Sequence, residues 1–295
     1  MPGPHLAGIG LVVATVQESS EIWCKHARQW DRVGQPLRPT KDDVAHVEGC
    51  IAAWSTRQSR TAPRVLLLGV TPELADLNWP SGTTLVALDR APDMIAAVWP
   101  GDTRWRHAIC ADWFDAPFAP ASWDLVVGDG ALNMIPTMAQ YPRAVAALGR
   151  LLAPGGRLLL RLFARPAPAE TVTAALRALE AGEIDNFHIF KWRLAMALHG
   201  DSDSGVRLAD IWQAWQQGVK DPQALAARQA WATHTIQTID AYRNQPTRYT
   251  FPTLAELRAL LSASFVEDDC QLPDYDFGHC CPRFVLRRGD GTMPL

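Results

Sequence analysis

Five short apolar runs restrict the possible folds of this 295-residue chain most strongly. Each run is closely followed by glycine, aspartate or a break in the pattern, and then by a helix-like segment. The runs are Arg64–Leu68, Thr84–Leu88, Ala108–Cys110, Leu125–Val127 and Arg157–Phe163. Continuous apolar runs of this length predict strands buried on both faces, as in a parallel sheet. Strands that alternate with helices indicate a doubly wound α/β fold, whose strand ends meet at one edge and bind ligands there.

The segments around these runs divide the chain into four predicted parts. Residues 1–58 show a helical pattern broken at Gly34–Pro39 and are expected to form a helical lid, and residues 60–168 hold the five strands of the core. Residues 169–248 are helical and longer than one crossover requires, which predicts an inserted substrate cap. Residues 249–290 contain a Thr253/Glu256 capping box, a helix and two late strands that would complete a seven-stranded, mostly parallel sheet.

Composition removes several classes of partner. The formal net charge is -3 with scattered Lys and Arg, so no basic footprint for nucleic acid is visible, and no apolar run approaches the roughly 20 residues of a membrane span. The six cysteines lack metal-ligand spacing. We expect a cytoplasmic monomer or homodimer that acts on a small molecule and binds no metal. The 12 Trp are either anchors of core and lid or walls of an apolar ligand pocket.

The ends of the apolar runs, taken in order, resemble the class I S-adenosylmethionine-dependent methyltransferases over roughly residues 60–290. The matching segments are VLLLG (65–69), ALD (87–89), CADW (110–113), DLVVGD (124–129) and LAPGGR (152–157). The resemblance implies a Rossmann-like core that binds S-adenosyl-L-methionine and releases S-adenosyl-L-homocysteine. A nicotinamide-binding interpretation is disfavoured because G-x-G-x-x-G is absent.

The resemblance also implies roles for individual residues. Gly69 would form a turn without side-chain bulk at the methionine end, Asp89 would accept both ribose hydroxyls, and Asp112 would accept from the adenine amino group. The other implied cofactor contacts are Trp30, Arg38, Val70, Thr71, Glu73, Arg90, Met94, Trp113, Asp129, Gly130 and Leu132. The alternative interpretations are turn formation by Gly69 and Asp129, a solvated surface position for Asp89, helix capping by Asp112, and core packing by Trp30 and Met94.

The first motif departs from the family pattern. Leu67 stands where an acid is usual, and Thr71 and Glu73 replace the two later glycines. Glu73 or a residue of the N-terminal helices must then meet the cofactor's ammonium group, or cofactor affinity is lower. After the fourth strand the chain lacks the Asn/Asp-Pro-Pro-aromatic pattern of methyltransferases that act on amino-nucleobases and glutamine. These two substrate classes are therefore disfavoured.

Methyl transfer by in-line displacement needs alignment, exclusion of water and, for some acceptors, removal of a proton. Asp129 and His188 are the candidate catalytic groups, and Lys191 and Arg193 are candidates for binding a substrate carboxylate or phosphate. A packed histidine and solvated Lys and Arg tips are the alternatives. We expect methylation of an O or N nucleophile on a small molecule. A non-catalytic S-adenosylmethionine-binding or regulatory protein, and another S-adenosylmethionine-using enzyme on this fold, remain alternatives.

Overall fold

A seven-stranded sheet forms the centre of the protein, whose structure, a computed structural model, describes residues 22–289. The strands of the sheet are β1 (Arg64–Leu68), β2 (Thr84–Asp89), β3 (Arg106–Cys110), β4 (Trp123–Asp129), β5 (Leu152–Arg161), β8 (Phe265–Gln271) and β9 (Arg283–Arg288). The described residues form two further strands, β6 (Val206–Arg207) and β7 (Arg248–Tyr249), outside this sheet. The sheet order is β3-β2-β1-β4-β5-β9-β8. Strands β1 to β5 pair in parallel, and β9 runs antiparallel to β5 and β8. This confirms the predicted seven-stranded, mostly parallel, Rossmann-like sheet.

Helices surround the sheet and form a separate cap. They are α1 (22–28 within the described part), α2 (Lys41–Gln58), α3 (Pro72–Ala75), α4 (Pro92–Val98), α5 (Tyr141–Leu151), α6 (Val172–Ala181), α7 (Phe187–His199), α8 (Leu208–Gly218), α9 (Pro222–Gln229), α10 (Thr233–Ile236) and α11 (Leu254–Leu261). Short 3₁₀ turns include Trp113–Asp115, Ala131–Met134 and Gln237–Tyr242. In the described residues, no helix is both long and apolar enough to cross a membrane.

The fifth strand and the cap differ from the sequence prediction. Strand β5 begins at Leu152 rather than Arg157, because Leu152 already pairs with Trp123 and a register shift absorbs the Pro-Gly-Gly segment that follows. In the cap, β6 and β7 form a two-stranded antiparallel ribbon that the helical interpretation of 169–248 missed. Two-residue strands are too short to show a hydrophobic period.

Alternate side chains of β1 enter two different cores. Val65 and Leu67 pack in the core that contains Ile51 and Trp54 of α2, whereas Leu66 and Leu68 pack in the core beneath α5 and α11. The indole Nε1 of Trp54 also donates to the backbone oxygen of Gly155 at 3.1 Å. Helix α2 therefore covers a face of the sheet, and the part of the predicted 1–58 lid that reaches the site lies before α2. Residues 1–21 and 290 of the predicted domains lie outside the described residues.

The cap has a hydrophobic core of its own, centred on α7. Phe187, Phe190 and Leu194 are buried within it, and the ring of Trp215 of α8 contacts Phe187 edge to face at 5.2 Å and Phe190 in a tilted arrangement at 5.7 Å. Ile22 of α1 belongs to the same core. The N-terminal helix and the inserted helices thus pack together as one layer.

Candidate active site

A cavity of about 490 Å³ lies between the carboxyl ends of the central parallel strands and the helical cap. Its volume is in the range of small-molecule sites. The order of the strands reverses at β1, which has β2 on one side and β4 on the other. Such a switch point leaves a crevice where open α/β sheets bind ligands.

Most of the site residues predicted from the sequence line this cavity. Those that do are Trp30, Gly69, Val70, Thr71, Asp89, Arg90, Met94, Asp112, Trp113, Asp129, Gly130 and Lys191. Five predicted residues are not part of its lining, namely Arg38, Glu73, Leu132, His188 and Arg193. The structure therefore brings together the strand ends and separates most of the positions chosen on helices.

The first turn adjoins the acid at the end of β2. Gly69 has φ +88°, a left-handed conformation that favours glycine, and a Cβ there would lie 3.8 Å from Oδ2 of Asp89. Helix α3 follows this turn but is only four residues long, and the Thr71 side chain makes no cap hydrogen bond. Any attraction of an anion by this helix is consequently weak.

Asp89 presents an acceptor atom to the cavity. Its Oδ1 accepts from the backbone N–H of Ala91 at 2.8 Å, and no hydrogen bond within the described residues occupies Oδ2. Burial raises the pKa of the Asp89 carboxyl to about 6, although the Ala91 N–H and the charge of Arg90 act in the opposite direction. A half-desolvated carboxylate with one unused oxygen fits hydroxyl donors of a ligand.

The ends of β2 and β3 form a flat wall. The Nε1 atom of Trp113 donates to the backbone oxygen of Leu88 at 2.8 Å, which fixes the indole beside the end of β2. Asp112 caps the following 3₁₀ turn by accepting from the N–H of Phe114 at 2.9 Å. The capping interpretation of Asp112 is therefore correct, and the residue also lines the cavity. Met94 adds apolar surface.

Asp129 is committed to a buried ion pair. Arg161 on β5 donates from Nε to Oδ1 at 2.5 Å and from Nη2 to Oδ2 at 2.9 Å, and both side chains are about 5% exposed. Burial opposes the charge of Arg161, but the adjacent Asp129 outweighs it and holds the pKa of the guanidinium well above its usual range. Proton acceptance by Asp129 would weaken this pair.

The acid missing at Leu67 has no direct replacement in the cavity lining. Glu73 pairs with Arg38, whose Nη2 lies 2.6 Å from Oε1, and Arg38 in turn lies over the ring of Trp30 at 5.2 Å. The second oxygen of Glu73 is buried without a hydrogen-bond partner in the described residues. The pair of Glu73 and Arg38 thus contacts Trp30 without lining the cavity itself. Leu132 is also absent from the lining, because it packs in the core that contains α5 and α11.

Two residues of α7 face away from the cavity. Nε2 of His188 lies 3.1 Å from the backbone oxygen of Arg32, and burial, followed by the charge of Lys191, lowers the pKa of His188 to about 3. Arg193 forms a bidentate pair with Glu170, at 3.0 and 2.5 Å. Neither is in position to serve as predicted without a rearrangement.

Sequence reasoning missed most of the cap-side wall. The additional lining residues are Trp23, His26, Val33, Leu37, Leu68, Phe114, Ala131, Met134, Ile135, Pro136, Gln140, Arg143, Phe163, Trp192, Tyr242 and Tyr249. His26 lies four residues before Trp30, a helical spacing that was a usable signal in the sequence. Tyr242 and Tyr249 depend on how distant segments meet, and no local pattern marks them.

Part of the chain matches a known protein family. Residues 69–160 match a family model described as a methyltransferase domain. No curated protein matches the sequence. In the described residues, no group of three His, Cys, Asp or Glu side chains is arranged to hold a metal ion.

Solved structures resemble the chain at low sequence identity. A Rhodobacter sphaeroides protein named as a candidate zinc-dependent alcohol dehydrogenase aligns with TM-score 0.53 and 14% identity, over 90% of this chain and 98% of that one. At that identity it shows the fold alone. The N-methyltransferase NodS of Bradyrhizobium japonicum WM9, in complex with S-adenosyl-L-homocysteine, has TM-score 0.46, 12% identity and coverages of 90% and 98%. A Burkholderia thailandensis 1,6-didemethyltoxoflavin-N1-methyltransferase has TM-score 0.47, 16% identity and coverages of 98% and 92%.

The matched domain begins at the Gly69 turn and ends in β5, so it contains the strand ends that form the floor of the cavity. The sheet that contains it is the seven-stranded, mostly parallel sheet that the sequence resemblance led us to expect. Residues 69–160 therefore match a methyltransferase domain, and the sheet that contains them has the fold of the class I S-adenosylmethionine-dependent methyltransferases.

Proposed function

We propose that this methyltransferase acts on an O or N nucleophile of a small molecule held in the same cavity as the cofactor. The observation that carries the proposal is one cavity with two chemically different walls, strand ends on one side and aromatic cap residues on the other. A second substrate bound between these walls would be shielded from water by the cap, which favours displacement at a methyl group.

The strand ends supply the groups that a nucleoside needs. We assign the ribose hydroxyls to Asp89, whose Oδ2 lies beside the Gly69 turn, and the adenine to the wall formed by Asp112, Trp113 and Met94. S-Adenosylmethionine would supply a methyl group on a positively charged sulfur. The chain would hold and orient it, with backbone at Gly69 giving close approach to the methionine end.

The catalytic contributions of the protein are alignment and exclusion of water. Asp129 lines the cavity with both oxygens paired to Arg161, so we assign it an orienting role rather than proton acceptance. His188 would have to leave the backbone oxygen of Arg32 to act as a base, and we assign it to packing. A cytoplasmic location and a monomeric or homodimeric state remain predictions.

Calorimetric titration with S-adenosyl-L-homocysteine tests the cofactor assignment. We expect measurable binding to the wild-type protein, and an affinity loss of at least about tenfold for Asp89→Ala, since hydrogen bonds to a charged group contribute about 1.5–3 kcal/mol. Asp274→Ala, at an exposed site, is the matched control. Unchanged affinity of Asp89→Ala would remove the ribose assignment, and absence of binding to the wild type would remove the proposed function. Product analysis after incubation with S-adenosylmethionine and a panel of small acceptors then tests methyl transfer.

A further inference from the structure

A buried lysine faces the cap end of the cavity without an acidic partner. Lys191 is 2% exposed, and its Nζ donates to Oγ1 of Thr238 at 2.9 Å. Nζ also lies 5.5 Å from the ring centre of Tyr242 and 5.8 Å from that of Phe187. No carboxylate of the described residues forms an ion pair with it. Desolvation of an unpaired ammonium is costly, and this burial lowers the pKa of Lys191 to about 7.

Other hydrogen-bond donors around the same cavity are also unsatisfied. The buried Nε1 atoms of Trp23, Trp30 and Trp192 have no hydrogen-bond partner in the described residues, and all three side chains line the cavity. An indole N–H can only donate, as can an ammonium. Buried donors are normally satisfied, so this excess of donors indicates a ligand that brings acceptor oxygens.

The walls beside Lys191 are aromatic. Trp192 meets Tyr249 edge to face at 5.8 Å, and His26 meets Tyr242 in the same manner at 5.8 Å. Flat, rigid side chains of this kind favour a planar ligand, whose ring can stack or make edge contacts. Arg193 takes no part, because it is held by Glu170 outside the cavity. Of the two cationic residues of α7 that were predicted to bind an anion, Lys191 is therefore the one that lines the cavity.

We propose that the end of the cavity lined by His26, Lys191, Trp192, Tyr242 and Tyr249 is the acceptor subsite, and that it binds a planar aromatic acid whose carboxylate pairs with Nζ of Lys191. This inference rests on the proposed function and names the class of its substrate. An arriving carboxylate would supply the missing counter-charge and keep the lysine protonated.

Lys191 is the group in this subsite whose charge would change near neutral pH. Burial, then the charge of Lys191, lowers the pKa of His26 on α1 to about 3, and His188 on α7 is lowered in the same way. Burial raises the pKa of Tyr242 and of Tyr249 above the usual range of tyrosine. At pH 8, binding of a carboxylate should therefore draw about one proton onto Lys191.

The test uses 2-naphthoate and its neutral analogue 2-naphthamide as probes. Each is titrated by calorimetry into the wild-type protein, with and without S-adenosyl-L-homocysteine, in phosphate and in Tris at pH 8. We expect naphthoate to bind about tenfold to hundredfold more tightly than naphthamide, the range of a charge-assisted hydrogen bond. The difference in binding enthalpy between the two buffers should report uptake of about one proton at pH 8. The uptake should fall well below half a proton at pH 6.2, measured in phosphate and Bis-Tris, because most Lys191 is already charged there.

Lys191→Met removes the ammonium and keeps an unbranched side chain, so the preference for naphthoate should fall to within about threefold and the proton uptake should vanish. Lys220→Met, at an exposed position, should retain both. Unchanged S-adenosyl-L-homocysteine affinity shows that Lys191→Met is folded. The wild-type proton uptake tests the inference independently of that variant.

The outcomes separate the two proposals. If the wild type binds S-adenosyl-L-homocysteine but fails to prefer naphthoate, or if Lys191→Met keeps the preference, the acceptor assignment is overturned and the methyltransferase function stands. If naphthoate binds with the expected dependence on Lys191 while S-adenosyl-L-homocysteine does not bind, the anion subsite is supported and the proposed function fails.

Discussion

Asp89 combines partial burial with a single hydrogen bond from the protein, the one that Oδ1 accepts from Ala91. Its folded-state pKa of about 6 lies above the ordinary value of an aspartate in an unfolded chain. The folded protein therefore holds this proton more firmly, and its stability falls as the pH rises between about 4 and 6. The group that we assign to cofactor binding is thus a source of instability in the empty protein at neutral pH.

Asp89→Asn should consequently stabilise the cofactor-free protein while weakening its cofactor site. At pH 7.5 we expect the free energy of unfolding to rise by about 1–3 kcal/mol, since each pKa unit corresponds to about 1.4 kcal/mol, and the gain should vanish near pH 4. Urea unfolding at the two pH values measures this, with Asp274→Asn as the surface control. A loss of stability at pH 7.5 would show that the carboxylate is not penalised by burial.

The position of Asp89 was predictable from the sequence because it follows an apolar run directly. A parallel strand of known length fixes where its last side chain lies, and the same reasoning placed Gly69 and Asp112. Arg193 and His188 were less predictable, because a helix gives each residue a direction only after its neighbours are known. The pairing of Arg193 with Glu170, 23 residues away, is not encoded in any local pattern.

At the scale of elements, a buried ionic network joins β4, β5 and α2 behind the cavity. Arg161 binds Asp129 bidentately, and its Nη1 lies 3.5 Å from Oδ2 of Asp43. Asp43 also closes the capping box of α2 with Thr40, and the hydroxyl of Tyr275 donates to it at 3.1 Å. The start of α2 and the cavity-lining end of β4 are thereby fixed relative to each other.

Breaking this network at one partner should be costly. Arg161→Met leaves the buried Asp129 and Asp43 without their shared cation, and we expect the free energy of unfolding to fall by about 3–5 kcal/mol in urea unfolding. The double variant Arg161→Met with Asp129→Asn should lose at least about 1 kcal/mol less stability than the sum of the losses of the two single variants, because the two side chains interact directly. Arg258→Met, at a partly exposed pair with Glu267, should cost less than about 1 kcal/mol. Strictly additive losses would contradict a coupled pair.

The sequence predicted the elements of the core better than those of the cap. Continuous apolar runs marked β1 and β2 almost to the residue. The predicted β5 starts too late, because Pro-Gly-Gly interrupts the apolar pattern although the strand continues through a register shift there. In the cap, α7 is buried on nearly every side, so its pattern carries little amphipathic signal. The β6–β7 ribbon joins residues more than 40 positions apart, beyond the reach of local periodicity.

At the scale of the whole molecule, the cavity lies where three hydrophobic cores approach one another. Two cores cover the faces of the sheet and the third fills the cap. Residues of the cap wall come from positions as distant as His26 and Tyr249, whose hydroxyl lies 3.4 Å from the imidazole Nε2 of His26. The site is therefore complete only when the N-terminal helix, the inserted helices and the sheet are packed together.

Hydrogen exchange should distinguish the strand ends, which we assign to the cofactor, from the cap, which we assign to the acceptor. At a concentration of about 100 times its Kd, S-adenosyl-L-homocysteine should stabilise the folded protein by roughly 2.7 kcal/mol. Amides that exchange only when the bound region opens should then exchange up to about a hundredfold more slowly. We expect this protection at residues 69–71, 89–91 and 112–114, and its extension to Phe187–His199 when 2-naphthoate is added. Leu254–Leu261, which packs beneath the sheet with α5, is the internal control. Protection of α11 without any protection at the strand ends would contradict binding at these strand ends.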